Sequence, residues 1–356
     1  PLPTRKRPIL RQKDKDRMGS SHCEQLDELA SDPVGMRFST TRSSIEGEWP
    51  MAFDIVQYGA AGNGETLCTG RIQAAIDDCA RAGGGFVHVP AGRFVTGTIE
   101  LKSHVFLDLA PGAELLGSWE SSDFRGPARR SPWDERVIHE SLTHCRALVF
   151  AERAVDTGVV GHGTIDVRRG SGYPGMPQGE CRPYLMVFSE CTDVAIRDVT
   201  LRNPAFFTFY AMSCKRVHVS GVRIHTLGSA NGDGLDFEGG EDVILSDCLI
   251  EAGDDCISLK SLYPGNPCRN FTITNCIFKS VWAGVRLGPE STSGVSGVTV
   301  SNCRFIDCHS GIKIQPSEGV VFENLTFSNM NMQNVRQPLF LSSARYRLSG
   351  ECRRVR

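Results

Sequence analysis

An eight-residue pattern recurs six times between residues 194 and 327, and it restricts the possible folds more than any other feature of the sequence. Each copy has apolar residues at its first, third and eighth positions and Asn, Asp or Gly at its fifth. Successive copies begin 23, 26, 28, 27 and 22 residues apart. The copies are Val194–Leu201, Val217–Ile224, Val243–Ile250, Phe271–Phe278, Val298–Phe305 and Val320–Phe327.

A repeat of this length predicts a solenoid, in which each coil stacks on the coil before it. Alternating β-branched residues with scattered Asn and Gly favour strands over helices. The regular leucine frame of leucine-rich repeats is absent from the sequence. Weaker copies around residues 105–116 and 157–165 extend the pattern towards the N-terminus. The sequence therefore predicts an all-β fold, a parallel β-helix.

Cysteines recur at one position of the repeat. Coils of a β-helix stack about 4.8 Å apart, so equivalent residues form straight ladders. Cys248, Cys276 and Cys303 share one register, and Cys191 and Cys214 share another. We expect reduced thiols that pack as small core residues. The 14 cysteines do not indicate a disulfide framework or a metal site in a chain of this length and composition.

The composition divides the chain into three regions. Residues 1–50 are polar and irregular, which predicts a disordered or loosely attached extension. Residues 51–341 form the predicted β-helix domain, and residues 342–356 form an irregular basic tail.

An amphipathic helix is predicted at the start of the β-helix domain. Ile72, Ala75, Ile76 and Cys79 follow helical spacing, and the run ends at Gly83–Gly85. Such a helix would cap the first coil, whose strand edges would otherwise stay unpaired.

Charge and hydrophobicity exclude several classes of partner. The 39 basic residues nearly balance the 41 acidic residues, so no bias towards nucleic acid is expected. No apolar run is long enough to span a membrane, and no signal peptide is recognisable. We expect a monomer, located in the cytoplasm and not secreted.

Three aspartates stand just ahead of two neighbouring strands of the repeat. Asp233 lies in the segment Asn231-Gly-Asp-Gly-Leu-Asp236, and Asp254 and Asp255 lie in Gly253-Asp-Asp-Cys-Ile-Ser258. Acid–base cleavage of a glycosidic bond needs one protonated carboxyl and one ionised carboxylate. Crowding of like charges raises the pKa of at least one of them. A single aspartate here would be explained by turn capping, but three in this register favour chemistry.

Further motifs accompany the aspartates. Tyr58-Gly-Ala, Val89-Pro-Ala-Gly92 and Gly163-Thr-Ile-Asp166 precede the aspartates, which themselves lie in Asn231–Gly234 and Gly253–Cys256. On these motifs the chain, from Phe53 to about Leu341, resembles the family 28 glycoside hydrolases, the polygalacturonase group of right-handed parallel β-helices. In that family the last two motifs read Asn-Thr-Asp-Gly and Gly-Asp-Asp-Cys.

The resemblance implies a glycoside hydrolase that degrades a pectin-type polysaccharide or oligosaccharide containing uronic acid. Asp254 would be the general acid, while Asp233 and Asp255 would hold and deprotonate the attacking water. The reaction would invert the anomeric centre and use no metal and no cofactor.

Two signatures of the family are altered in this chain. The family's Gly-His-Gly falls on Trp282-Ala-Gly284, so Ala283 replaces its histidine. Its Arg-Ile-Lys falls on Lys313-Ile-Gln315, and a lysine cannot reproduce the bidentate grip of an arginine on a carboxylate. His162 lies in Gly161-His-Gly163, at least two coils before the position of the family's histidine, so it cannot take that histidine's place.

Strand alternation predicts which residues line a groove. We expect Leu235, Phe237, Ile257 and Leu259 to point inwards. The residues between them would then face solvent, and the cations Lys260, Arg286 and Lys313 would lie on the same face. The candidate substrate-binding residues are therefore Asn231, Asp236, Lys260, Arg286, Lys313 and Gln315.

Two other functions remain open from the sequence. A non-catalytic β-helix that binds carbohydrate or serves a structural role is favoured by the altered signatures. A polysaccharide lyase would need a calcium site and a basic proton abstractor, and Asp233, Asp236, Asp254 and Asp255 are the carboxylates that such a site would use.

Overall fold

The structure is a computed structural model, and it describes residues 53–128, 146–168, 182–317 and 319–343. The described residues form three parallel sheets and one α-helix, which confirms the predicted all-β parallel β-helix. The predicted extension at residues 1–50 lies outside the described residues, as does the tail beyond residue 343.

The strands, numbered in chain order, pass in turn through three sheets, which we call A, B and C. Sheet A has ten strands, β1 (Phe53–Asp54), β3 (Gly85–Val89), β6 (Val105–Leu109), β9 (Val155–Gly161), β12 (Thr192–Arg197), β15 (Lys215–Ser220), β18 (Gly240–Ser246), β21 (Cys268–Thr274), β24 (Val295–Ser301) and β27 (Phe322–Ser328). Sheet B has ten strands, β2 (Asn63–Leu67), β4 (Gly92–Thr96), β7 (Ala113–Gly117), β10 (Thr164–Asp166), β13 (Thr200–Arg202), β16 (Arg223–His225), β19 (Leu249–Ala252), β22 (Ile277–Ser280), β25 (Arg304–Ile306) and β28 (Asn331–Gln333). Sheet C has nine strands, β5 (Ile99–Leu101), β8 (Ala147–Glu152), β11 (Tyr184–Ser189), β14 (Phe209–Met212), β17 (Leu235–Glu238), β20 (Ile257–Ser261), β23 (Ala283–Ser291), β26 (Ser310–Ile314) and β29 (Gln337–Leu341).

Each coil contributes one strand to each sheet, so residues about one repeat apart become neighbours. In sheet C, Leu235 pairs with Ile257 and Phe237 with Leu259, and all four side chains are buried inside the coil. The core is therefore a continuous column of apolar side chains that runs the length of the solenoid.

The fifth position of the repeat is the turn between sheets A and B. Asp198, Asp247, Asn275 and Asn302 adopt φ between 55° and 62° there, and Gly221 adopts 65°. This left-handed conformation is costly for most residues but tolerated by Asn, Asp and Gly, which explains the residue types at that position.

The sixth copy of the repeat was placed incorrectly from the sequence. Val298 pairs with Leu325 and not with Val320, so the copy begins at Leu325 and its turn residue is Asn329, with φ of 51°. Asn324, with φ of 56°, occupies a second left-handed position that recurs within the strands of sheet A, where Asn270 has φ of 57°. The sequence pattern confused the two positions because both favour asparagine.

The predicted helix is α1 (Thr69–Arg81), and it buries Ile72, Ala75, Ile76 and Cys79 as expected. It packs against β1, β3, β5 and β6 at the start of the solenoid. A 3-10 turn occurs at Ser121–Asp123. In the part of the chain that the structure describes, no helix is long and apolar enough to cross a membrane.

The cysteine ladder is confirmed. Cys248, Cys276 and Cys303 are buried free thiols, and each donates a hydrogen bond to the carbonyl two residues before it, Cys276 at 3.2 Å. Cys191 and Cys214 are likewise buried free thiols.

Candidate active site

The three aspartates lie in the turns that lead from sheet B into sheet C. The pairing of Leu235 with Ile257 sets Asp233 beside Asp255, and the Gly234 N–H donates to the Asp255 carbonyl at 2.9 Å. Asp254 precedes Asp255 by one residue. The parallel register therefore brings Asp233, Asp254 and Asp255 together, as the sequence predicted.

Asp233 shares a buried cation with Asp236. The Lys260 ammonium contacts the Asp236 carboxylate and lies 3.5 Å from Asp233 Oδ2, and the side chain of Lys260 is 3% exposed. Its Nζ also lies 4.1 Å from the centre of the Phe207 ring. Lys260 was predicted to contact substrate, but it is enclosed by two carboxylates and an aromatic ring.

Burial sets the charge states of this group. Burial raises the pKa of Asp233 well above its usual value, and it raises the pKa of Asp236 to about 6 despite the nearby ammonium. Burial would lower the pKa of Lys260, but the charges of Asp236 and Asp233 outweigh it, so the pKa of Lys260 is raised. Lys260 therefore stays charged and favours the ionised form of its partners.

Asp255 has a different partner. Arg286 Nη1 donates to Asp255 Oδ2 at 3.0 Å, and the Ala283 N–H donates to Oδ1 at 3.2 Å. Burial raises the pKa of Asp255 to about 7, although Arg286 opposes the shift. Gln315 Oε1 lies 3.5 Å from Arg286 Nη2, so Gln315 helps to orient the guanidinium.

Asp254 is the accessible member of the three. It is half-buried, whereas Asp233 and Asp255 are buried. Burial raises its pKa, partly offset by Lys260 and Arg286. Among the described residues it forms no ion pair.

The face of sheet C that is turned away from the coil interior, its outer face, carries the predicted ladder. Asp236, Ser258, Arg286 and Lys313 are paired in register from β17 to β26, as expected. The expectation that this ladder faces solvent is wrong, because Asp236, Ser258 and Lys313 are buried. Alternation fixes which face a side chain points to, but it says nothing about what covers that face.

Asn231 lies in the exposed part of the turn before β17, with φ of 52°. Its Oδ1 accepts a hydrogen bond from Arg182 Nη1 at 2.9 Å. Arg182 also donates to the carbonyls of Ala205 and Ala230. Asn231, predicted to contact substrate, therefore also holds a loop beside the carboxylates.

Lys313 lies against aromatic side chains. Its Nζ is 3.9 Å from the centre of the Trp282 ring and 5.2 Å from that of Phe340. The residue is 5% exposed, and within the described ranges no carboxylate pairs with it. Burial lowers its pKa, and the charge of Arg286 acts in the same direction.

Trp282 is a site residue that the sequence did not assign. It stacks on His309 with ring centres 5.0 Å apart and planes at 12°, and it follows Asp254 by one coil. The signal was present, since Trp282 replaces the first glycine of the family's Gly-His-Gly. His162, by contrast, is exposed beside β10, three coils before Asp254.

Glu238 is a further buried acid, and it was not among the site residues predicted from the sequence. Its Oε1 accepts from the Leu262 and Tyr263 N–H groups, the latter at 3.2 Å, and no described residue bonds its Oε2. Burial raises the pKa of Glu238 to about 7. Across the described residues, no group of three or more His, Cys, Asp or Glu side chains is arranged to hold a metal ion.

Glu238 makes the stability of the protein depend on pH. Its pKa is near 4.5 when unfolded and about 7 when folded, so the folded state holds the proton more tightly. The stability that this provides is present below pH 4.5 and is lost as the pH rises through about 7. We expect Glu238→Gln to flatten the fall in unfolding free energy between pH 4.5 and 7, measured by urea denaturation.

Glu323→Gln, at an exposed position of β27, is the matched control and should leave that dependence unchanged. A slope equally steep in the parent and in Glu238→Gln would contradict the assignment of the proton to Glu238.

Comparison with known proteins agrees with this geometry. The family model for glycosyl hydrolases family 28 matches residues 128–354. The chain is 28% identical over 259 residues to a probable polygalacturonase of Vitis vinifera, covering 68% of this chain and 52% of the relative. It is 27% identical over 358 residues to an exo-poly-alpha-D-galacturonosidase of Dickeya chrysanthemi, covering 83% and 58%. The chain thus spans little more than half the length of these relatives.

Solved structures share the fold. A family 28 exopolygalacturonase of Yersinia enterocolitica superposes with a TM-score of 0.71 at 22% identity, covering 82% of this chain and 60% of the other. A polygalacturonase of Erwinia carotovora superposes with a TM-score of 0.68 at 20% identity, covering 83% and 80%. With the family model matching more than half of its residues, the chain belongs to glycosyl hydrolases family 28.

Proposed function

We propose that the chain hydrolyses a glycosidic bond in a pectin-type glycan that contains uronic acid. The observation that carries the proposal is the unequal environment of three adjoining carboxyls. Asp233 and Asp255 are buried beside cations, whereas Asp254 is accessible and has no cation within bonding distance among the described residues. Unequal environments are how one site provides both an acid and a base.

Asp254 is the proposed general acid. Burial raises the pKa of all three carboxyls, but only Asp254 is accessible, so a leaving oxygen can reach it. Lys260 and Arg286 favour the ionised forms of Asp233 and Asp255, which are the proposed bases. In the proposed step the base takes a proton from water, and the water oxygen bonds to the anomeric carbon. The bond to the leaving oxygen breaks as that oxygen receives the proton of Asp254.

This arrangement supports direct displacement by water, which inverts the anomeric centre. Lys260 pairs with Asp236 Oδ1 and lies 3.5 Å from Asp233 Oδ2, and Arg286 pairs with Asp255 Oδ2, so the proposed reaction uses these cations and no metal. The same contacts disfavour a calcium-dependent lyase. All the proposed residues come from one chain, so a monomer suffices, with the glycan as its partner.

Lys313 supports an acidic substrate. A buried ammonium without a carboxylate partner is costly, and a sugar carboxylate bound from the groove would offset that cost. The names of the relatives point to galacturonate as the acidic sugar. Lys313, held by aromatic rings, can supply the positive charge that pairs with the sugar carboxylate. Arg286 is less available because it already pairs with Asp255.

A non-catalytic glycan-binding β-helix is the second candidate. It is favoured by Ala283, which offers Asp255 only a backbone N–H where the family places a histidine. Release of new reducing ends from polygalacturonate distinguishes the two functions, because a binding protein releases none.

Asp254→Asn should lower kcat on polygalacturonate by about 10²–10⁴-fold, measured as release of reducing sugar. The amide cannot donate the proton that the leaving oxygen requires. Asp198→Asn, in an exposed turn where asparagine tolerates the positive φ, is the matched control and should keep full activity. Near-full activity of Asp254→Asn would show that the acid lies elsewhere.

Lys313→Met should raise KM for polygalacturonate about tenfold, equivalent to about 1.4 kcal/mol, and change kcat little. The methionine keeps the stem but removes the charge, so hydrolysis of a fully methyl-esterified substrate should not change. Lys215→Met, which removes an exposed cation that pairs with Glu241 on sheet A, is the control. An equal effect on acidic and esterified substrates would contradict a carboxylate-binding role.

A further inference from the structure

The position that Asp233 occupies in its coil is occupied by an aromatic residue in the coil before it. The Thr208 N–H donates to the Asp233 carbonyl at 3.0 Å, and Phe209 pairs with Leu235. Phe207 is therefore the counterpart of Asp233 one coil earlier, and Phe206 is the counterpart of Gly232. One strand spacing, about 4.8 Å, separates these equivalent positions along the solenoid.

Phe206 and Phe207 belong to a buried apolar cluster on the outer face of sheet C. The Phe206 and Phe207 rings stack 4.1 Å apart, and both pack edge-on against Tyr184 at 5.2 and 5.6 Å. Every member of the cluster is buried, so none of them offers a surface to a glycan. The members are Ala147, Phe150, Tyr184, Val187, Phe206, Phe207, Tyr210 and Met212.

Arg182 fixes the loop that carries these phenylalanines. Its guanidinium carbon lies 4.9 Å from the centre of the Phe206 ring, and its Nε donates to the Ala205 carbonyl at 2.7 Å. The bond from Nη1 to Asn231 ties the same loop to the turn that carries Asp233. The apolar cover is thus held against the carboxylate cluster.

Exposure in the turns that lead into sheet C is one-sided along the solenoid. At the position that Asp254 occupies in its turn, the two preceding coils carry Phe206 and Gly232, and both are buried. At the same position the following coils carry Trp282, which is 36% exposed, and His309, which is half-buried, although Ser258, Lys260 and Lys313 on the strands beside them are buried. The accessible residues on this later-coil side are Asp254, Trp282, Arg286, His309 and Gln315.

From this asymmetry we propose that the chain cleaves its glycan from one end. The substrate groove is closed at Phe206 and Phe207. Only a short terminal portion of the substrate therefore fits on the earlier-coil side of Asp254. The remainder of the glycan extends over the later coils, along Trp282 and Gln315. This inference rests on the proposed function and adds to it the mode of action, which the hydrolytic residues alone leave undetermined.

The products of the parent enzyme test the inference. Long polygalacturonate should yield one short oligosaccharide or monosaccharide from the first turnovers, with little loss of viscosity per bond cleaved. A mixture of intermediate sizes with early loss of viscosity would overturn one-ended cleavage and leave the hydrolase proposal standing. Failure to release any reducing sugar from the glycan would overturn both.

Two exposed tryptophans on opposite sides of the apolar cluster provide a matched pair of variants. Trp282 lies on the later-coil side, and Trp119, which is 47% exposed, lies between β7 and β8 on the earlier-coil side. In an Asp254→Asn background, Trp282→Ala should weaken binding of a galacturonate pentamer about tenfold, a typical loss for an aromatic contact. Trp119→Ala should leave pentamer binding unchanged.

Calorimetric titration measures both affinities directly, and thermal unfolding of each variant verifies that it is folded. Equal weakening by Trp119→Ala and Trp282→Ala would mean that the glycan runs across both sides, which overturns the inference. Unchanged pentamer binding by Trp282→Ala would overturn it as well, because the later coils would then not hold the chain.

Discussion

Parallel register is the constraint on which the rest of this structure depends. Because strands of successive coils lie about 4.8 Å apart, every side chain on a coil is forced against its counterpart on the next. Inside the coil this produces apolar and thiol ladders, which are favourable. In the turns before sheet C the same geometry forces Asp233 against Asp255, which is unfavourable unless the charges are compensated.

The compensation comes from the same ladders. Lys260 lies one coil after Asp236 and forms ion pairs with Asp236 and Asp233. Arg286 lies one coil after Ser258 and forms an ion pair with Asp255. Removing one member of a buried ion pair is costly because the other charge is then buried without a partner. The two buried aspartates are therefore fixed in place, and Asp254 alone keeps an accessible carboxyl with no cation of its own among the described residues.

Much of the fold and of the site could be predicted from the sequence, because residues one repeat apart become neighbours in a solenoid. The strands, the thiol ladder and the meeting of the aspartates followed from register, and the capping helix followed from the helical spacing of its apolar residues. The burial of Lys260 could not be predicted, since it depends on Phe207, a residue of an irregular loop one coil before Asp233. The sixth repeat was misplaced because Asn324 and Asn329 both occupy left-handed turns. Glu238 was not assigned to the site because strand alternation places its side chain on the outer face but does not show that it is buried there, where its Oε1 accepts from the Leu262 and Tyr263 N–H groups.

The stereochemistry of the first product tests the central claim most directly, because it reports on the geometry of acid, base and water together. Proton NMR during the first minutes of hydrolysis resolves the anomer of the newly released reducing end before mutarotation. Cleavage of an α-linked galacturonan should yield the β anomer if water attacks directly under Asp233 and Asp255. An α anomer, or an unsaturated product that absorbs in the ultraviolet, would contradict the account.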